Sequence, residues 1–265
     1  MNKNKSILQS KKTFLLDLDG TVYNGNSPIP TANEFIEKLY NNNLNYFFIS
    51  NNAHEPSEKI QEKLNKMGII ASKENIVTCI DATLDYLENY HLKDKIHVLG
   101  NDFLKNLLLE KGYILDDENP NIVLVGFDKE VTFEKLSLAT KHLLNDAILI
   151  CTGVDGSIPS DDGIVPYTGA LCEALAVASK VTPIYMGKPE KHIFNSISNK
   201  VNCSLDECIM IGDRLDTDIE FGISNGVDTC LVLTGTTNRT HLKNNDIAPT
   251  IICDDLSELT ILLSK

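Results

Sequence analysis

Two carboxylates stand two residues apart in Asp17-Leu18-Asp19-Gly20-Thr21, at the end of the apolar run that starts at Thr13. In an extended chain, side chains two apart point the same way, so Asp17 and Asp19 share one side while Leu18 faces the core. Such a pair can divide its labour, one carboxylate acting as nucleophile or metal ligand and the other carrying a proton. Gly20 and Thr21 then offer backbone N–H groups and a hydroxyl to an anion. A second acidic stretch, Gly212-Asp213-Arg214-Leu215-Asp216-Thr217-Asp218, closes the apolar run Cys208-Ile209-Met210-Ile211. Carboxylates from two strand ends suit a hard octahedral ion such as Mg2+. The favourable end of a helix dipole accounts for Asp216 without any ligand, and accounts less well for Asp213. Carboxylates and a phosphate cannot share a small volume without counter-charge. Lys188, in Gly187-Lys188-Pro189, is the cation at a strand end with a proline-opened helix after it. Ser50-Asn51-Asn52 ends a fourth apolar run, Tyr46-Phe47-Phe48-Ile49, and offers a hydroxyl and amides to a phosphoryl oxygen; by itself it also reads as a polar turn.

The elements that position these groups follow one pattern. Short β-rich apolar runs alternate with helical periodicity, which predicts βα units and a mostly parallel sheet. Strands are expected at 13–17, 46–49, 183–186, 208–211 and 229–233. Helices are expected at about 31–40, from Pro56 through Ile60, Leu64 and Met67 to a terminal Gly68, and at about 216–224. The middle of the chain repeats the pattern, with strands at 96–99, 122–125 and 148–151 separated by helices at about 102–110 and 133–144. A stretch of that length with three strands can hold its own core. The predicted fold is α/β: a Rossmann-like three-layer core with a parallel sheet, made by residues 1–80 and 181–265, plus an inserted α/β domain at 81–180. All four chemical motifs fall at strand ends, where open α/β sheets bind ligands.

Composition narrows the function. The 265 residues are 42% hydrophobic and 23% charged, an ordinary globular balance. Lys+Arg 24 against Asp+Glu 37 gives a formal charge of −13, which disfavours nucleic acid and anionic lipid as partners. No apolar run approaches the ~20 residues of a membrane helix, and Met1 to Lys12 has no apolar signal-like stretch, so a cytoplasmic location is expected. Seven scattered cysteines without a CxxC pair read as buried thiols in a reducing compartment. The six histidines show no HxH or HxxxH spacing for zinc.

Together, the four motifs resemble the haloacid dehalogenase superfamily of phosphatases over about residues 12–259. The insertion between the second and third motifs, with Val125-Gly126-Phe127-Asp128 and Gly163-Ile164-Val165-Pro166-Tyr167-Thr168-Gly169, is similar to the type IIA subgroup with a C2 cap, the NagD-like and p-nitrophenyl phosphatases. The resemblance implies that Asp17 is the nucleophile, forming an aspartyl-phosphate, and that Asp19 protonates the leaving oxygen and then deprotonates water. It implies Mg2+ held by Asp17, the Asp19 carbonyl and Asp213. It gives the grip on the phosphoryl group to Lys188 and Ser50, and makes Asp218 the group that orients Lys188 or a metal-bound water. Asp19 specifically favours an oxygen leaving group over a halide. The expected substrate is a small phosphorylated metabolite, reached under a closing cap, with a homodimer through the cap consistent with the family. Asp155, Ile158, Asp161 and Tyr167 either line the cap face or form an ordinary connection. Ile158 stands where animal pyridoxal phosphate phosphatases carry a histidine, which speaks against that substrate. Two other classes fit the same residues: a phosphotransferase or phosphomutase using the same intermediate, and a non-catalytic phosphometabolite-binding regulator.

Overall fold

The computed structural model describes residues 3–160, 163–198, 200–201, 203–243 and 246–264. The chain divides into two compact units, one of residues 1–50, 56–77 and 194–265, the other of residues 51–55 and 78–193.

The first unit is built on a six-stranded sheet. In chain order its strands begin with β1 (Thr13–Leu16), followed by a small antiparallel hairpin of β2 (Tyr23–Asn24) and β3 (Ser27–Pro28), then β4 (Asn45–Ser50) and β5 (Ile76–Thr78). The second unit supplies β6 (Lys95–Leu99), β7 (Ile114–Leu115), β8 (Ile122–Val125), β9 (Ile148–Cys151), the hairpin β10 (Ser157–Ser160) and β11 (Gly163–Pro166), and β12 (Ile184–Tyr185). The chain then returns to the first unit as β13 (Cys208–Gly212), β14 (Asp228–Val232) and β15 (Ile251–Cys253). The six-stranded order is β15-β14-β13-β1-β4-β5, with β1 parallel to both β13 and β4, Leu16 opposite Ile211 and Phe48.

β1, β13 and β14 are apolar because, inside a parallel sheet, both faces are covered by helices. Phe14, Leu16, Phe48, Ile209, Ile211 and Val232 are all buried in one core cluster. Phe14 meets Phe35 of the helix Ala32–Asn41 edge-on, with ring centroids 6.1 Å apart. Truncating Phe14 to alanine is expected to cost about 3–5 kcal/mol, read as a lower urea midpoint.

The second unit has a five-stranded sheet, order β12-β9-β8-β6-β7, parallel in every pair. Its core gathers Leu99, Val123, Val125, Leu149 and Cys151 against the helices Phe133–Leu144 and Thr168–Ser179. The expected helices at 102–110 and 133–144 form with those bounds, each opened by a side-chain cap, Asn101 and Thr132. Gly68 ends the helix Ser57–Lys66 with a φ of +79°, the left-handed conformation that glycine adopts without strain. The short strand expected at 183–186 forms as Ile184–Tyr185 and pairs with Ile150 and Cys151 of the five-stranded sheet.

Candidate active site

The β1/β13 ladder continues one residue past β1, because the Asp17 N–H donates to the Ile211 carbonyl at 2.9 Å. That bond fixes Asp17 at the carboxyl edge of the sheet beside the end of β13, where Asp213 follows Gly212. Asp218 joins them. The three carboxylates each offer an oxygen within 4.8 Å of the others, Asp17 half-buried and Asp213 and Asp218 each 1% exposed. Asp213 Oδ2 accepts the Thr236 N–H at 2.5 Å, and Asp218 Oδ2 accepts the Arg214 N–H at 3.1 Å.

Asp218 arrives through a turn wider than the expected helix. Residues Leu215–Ile219 form a single π-helical turn before the α-helix Glu220–Ser224. The Arg214 carbonyl accepts from both Asp218 N–H (3.2 Å) and Ile219 N–H (3.1 Å). Such insertions are frequent at functional sites. Asp216 points its charge elsewhere: it forms a two-point pair with the Arg214 guanidinium, at 2.8 and 3.1 Å, which lowers its carboxyl pKa.

Three glycines make room for this cluster. A Cβ on Gly20 would lie 2.5 Å from the Asp213 carboxyl carbon, and one on Gly212 would lie 2.3 Å from that of Asp218. A Cβ on Gly235 would lie 2.2 Å from Asp213 Oδ2 and 2.7 Å from the Gly20 Cα. Three converging carboxylates repel unless a cation offsets them, and an all-oxygen donor set fits a hard divalent ion. The residues present therefore fit a metal. Gly235→Ala is expected to destabilise the fold by about 1–3 kcal/mol, since backbone as well as side chain must move. It should also weaken divalent-cation binding, read as a smaller metal-induced rise in melting temperature.

Asp19 is an exposed residue outside the acidic trio, yet its carboxyl pKa is raised. Desolvation is the main cause, opposed by the Gly25 backbone and by Lys63. A carboxyl held up in this way keeps its proton to a higher pH. The N–H groups of Gly20 and Thr21, expected to face an anion, are used internally. They donate to Tyr23 (2.7 Å) and Leu18 (3.3 Å), because the loop folds back as a tight turn with Gly20 at φ +90°. Thr21 keeps a buried hydroxyl that has no hydrogen-bond partner among the described residues. The Gly20 carbonyl accepts from Thr234 Oγ1 at 2.6 Å.

Ser50 is buried at the end of β4, in the first unit. Asn51, Asn52 and Lys188 belong to the second unit. Lys188 is 2% exposed, so it is no solvated surface lysine. Of the Asn51 and Asn52 amides, expected to reach a phosphoryl oxygen, that of Asn51 has both its Nδ2 hydrogens committed to the chain itself. Asn51 bonds Lys188 and Asp155. Asn52 Oδ1 accepts from the His54 and Glu55 N–H groups at 3.0 and 3.1 Å. Tyr167 is buried, its hydroxyl accepting the Ala53 N–H at 2.7 Å and bonding His54 Nδ1 at 2.9 Å; burial pushes that hydroxyl's pKa up. Phe127 completes an aromatic trio with His54 and Tyr167. Ile158 is half-buried in the β10–β11 hairpin opposite Val165, and Asp161 lies outside the described residues.

Sequence spacing leaves Lys63 unnoticed. Its ammonium stands 3.9 Å from the Tyr23 ring centroid and opposes the rise in the Asp19 carboxyl pKa. A lysine on an ordinary amphipathic helix carries no signal of such a place. All seven cysteines are free thiols.

A family model described as a haloacid dehalogenase-like hydrolase matches residues 14–114, and a HAD-hydrolase-like model matches residues 185–259. An acid sugar phosphatase of Staphylococcus saprophyticus is 37% identical, over 97% of this chain and 100% of its own length. One from Staphylococcus aureus is 36% identical over the same shares. Among solved structures, a 4-nitrophenylphosphatase from Thermotoga maritima superposes with a TM-score of 0.91 at 32% identity, covering 97% of this chain and 99% of that one. NagD from Escherichia coli K-12 does so at 0.87 and 27%, over 94% and 98%.

Proposed function

The chain belongs to the haloacid dehalogenase-like hydrolases, as a phosphoric monoester hydrolase of the NagD type, and on that premise we propose that it hydrolyses small phosphorylated metabolites through an aspartyl-phosphate on Asp17, with Mg2+ as cofactor. Sugar phosphates are the leading substrate class, since the Staphylococcus relatives carry that activity in their name. The observation that carries the reading is the meeting of Asp17, Asp213 and Asp218 at one sheet edge.

In this mechanism an Asp17 carboxylate oxygen attacks phosphorus and the ester P–O bond breaks. Asp19 gives its proton to the departing alkoxide. Asp19, now a carboxylate, takes a proton from water, whose oxygen attacks phosphorus and returns Asp17 with release of inorganic phosphate. Mg2+, held by Asp17, the Asp19 carbonyl and Asp213 with Asp218 beside them, would supply charge neutralisation to the phosphoryl oxygens. Lys188 neutralises further phosphoryl charge, and Ser50 and the Thr21 hydroxyl donate to its oxygens. Phosphoryl transfer needs little from a protein beyond such positioning and charge. Residues 81–180 are, in the same proposal, a cap domain of the C2 type. A cytoplasmic location agrees with the free thiols, and a cap-mediated homodimer is part of the same proposal.

The test is a metabolite panel with Mg2+ present. Inorganic phosphate should appear in proportion to ester lost, with sugar phosphates turned over fastest. Transfer of the group to a second metabolite instead would replace hydrolysis with phosphotransfer, and no turnover of any ester would leave a binding protein.

A further inference from the structure

The carboxamide of Asn51 makes three hydrogen bonds that use both Nδ2 hydrogens, and two of the three go to the main chain of a single residue. Asn51 Oδ1 accepts the Lys188 N–H at 2.8 Å, while Asn51 Nδ2 donates to the Lys188 carbonyl at 3.0 Å. The second Nδ2 hydrogen goes to Asp155 Oδ2 at 2.9 Å. This pattern fixes which way the amide faces, because a flip would set its oxygen against a carboxylate and a carbonyl. Gly187 permits the approach: a Cβ there would lie 2.6 Å from Asn51 Oδ1. Asn51, Asp155 and Lys188 lie in the same unit, and Lys188 is 2% exposed.

We propose that Asn51 is a positioning residue for Lys188, clamping its main chain while Asp155 holds the clamp, rather than a ligand of the substrate's phosphoryl group. The inference rests on the reading of Lys188 as the phosphoryl-neutralising cation. A lysine's charge sits at the end of a flexible four-carbon stem, so where that stem begins decides how much of the side chain's freedom must be spent to place the ammonium. The clamp fixes the root of the stem on both sides. Giving either amide hydrogen to a substrate oxygen would cost Asn51 a bond to Asp155 or to the Lys188 carbonyl. With Oδ1 and both Nδ2 hydrogens engaged, the half-buried Asn51 holds the Lys188 main chain at two points while Asp155 holds Asn51.

Two kinds of coupling separate positioning from direct binding. Turnover of p-nitrophenyl phosphate and of a sugar phosphate is compared for Asn51→Ala, Lys188→Ala and the double variant, with Asp155→Ala and Asp155→Asn as a second series. Asn51→Ala should lower kcat/KM on the order of 10²-fold in the native background, as misplacement of a catalytic group by about 1 Å does. In the Lys188→Ala background it should change little, because the residue acts through the lysine. Asp155→Asn, which keeps an acceptor, should restore most of what Asp155→Ala loses. Hydrogen exchange at the Lys188 N–H should quicken in Asn51→Ala, whatever happens to activity. Equal losses from Asn51→Ala with and without Lys188, or unchanged exchange at that amide, would overturn the inference alone. Native turnover by Lys188→Ala would overturn the lysine's role and the inference with it. If Asn51→Ala fails to fold, Asp155→Ala takes its place in the double-variant comparison, and equal losses with and without Lys188 again overturn the inference.

Discussion

Asp17→Asn abolishes phosphate release, with kcat falling by about 10⁴-fold or more, as loss of a covalent nucleophile does. The amide is isosteric with the carboxyl but offers no negative oxygen to phosphorus. Folding survives the change. Asp17 lies past the end of β1, its N–H still available to the Ile211 carbonyl, and none of the buried sheet residues is altered. One of three carboxylates within 4.8 Å of each other loses its charge, so repulsion in the metal-free protein falls. The variant should therefore melt no lower than the native protein without metal, and gain less on adding Mg2+. Activity and melting thus move in opposite directions, which distinguishes a lost nucleophile from a damaged fold.

Removing divalent cations is the second large effect. Dialysis against a chelator should reduce turnover to background, and Mg2+ should restore it. Asp213 and Asp218 are each 1% exposed within the acidic trio, so loss of a bound cation is expected to cost stability as well as turnover. A ligand that binds only the folded protein stabilises it by about 2.7 kcal/mol at a hundred times its Kd, so Mg2+ should raise the melting temperature by several degrees. Asp213→Asn and Asp218→Asn should each blunt that rise. Full turnover after chelation would remove the metal from the account.

Much of this was legible in the chain because parallel strands buried on both faces write themselves as apolar runs. Phe14-Leu15-Leu16 and Ile209-Met210-Ile211 are such runs, and the acidic residues at their carboxyl ends stand where the sheet leaves a crevice. Asp17 and Asp213 were visible for that reason. Asp218 was visible as an acid but not as a full member of the trio, because the π turn that brings it round depends on a carbonyl accepting two bonds, which no periodicity encodes. The helix Thr168–Ser179 escaped notice because Thr-Gly-Ala-Leu-Cys-Glu-Ala-Leu-Ala-Val-Ala-Ser has scarcely any polar face to mark a period. The strand Ile184–Tyr185 was legible as a strand, while its partner was not, since two residues carry no register information. The Asn51 amides looked available for substrate because sequence shows donors and acceptors without showing which are already used. His54 and Tyr167 meet across 113 positions, a separation that only the fold closes.

The central claim is that Asp17 takes up the phosphoryl group itself. Acid quenching during turnover of a sugar phosphate, followed by peptide mass spectrometry, tests it most directly. A phosphoryl adduct on residue 17, formed with Mg2+ and absent from Asp17→Asn, is the predicted result. Steady phosphate release with no adduct on residue 17, or with the adduct on another side chain, would contradict it.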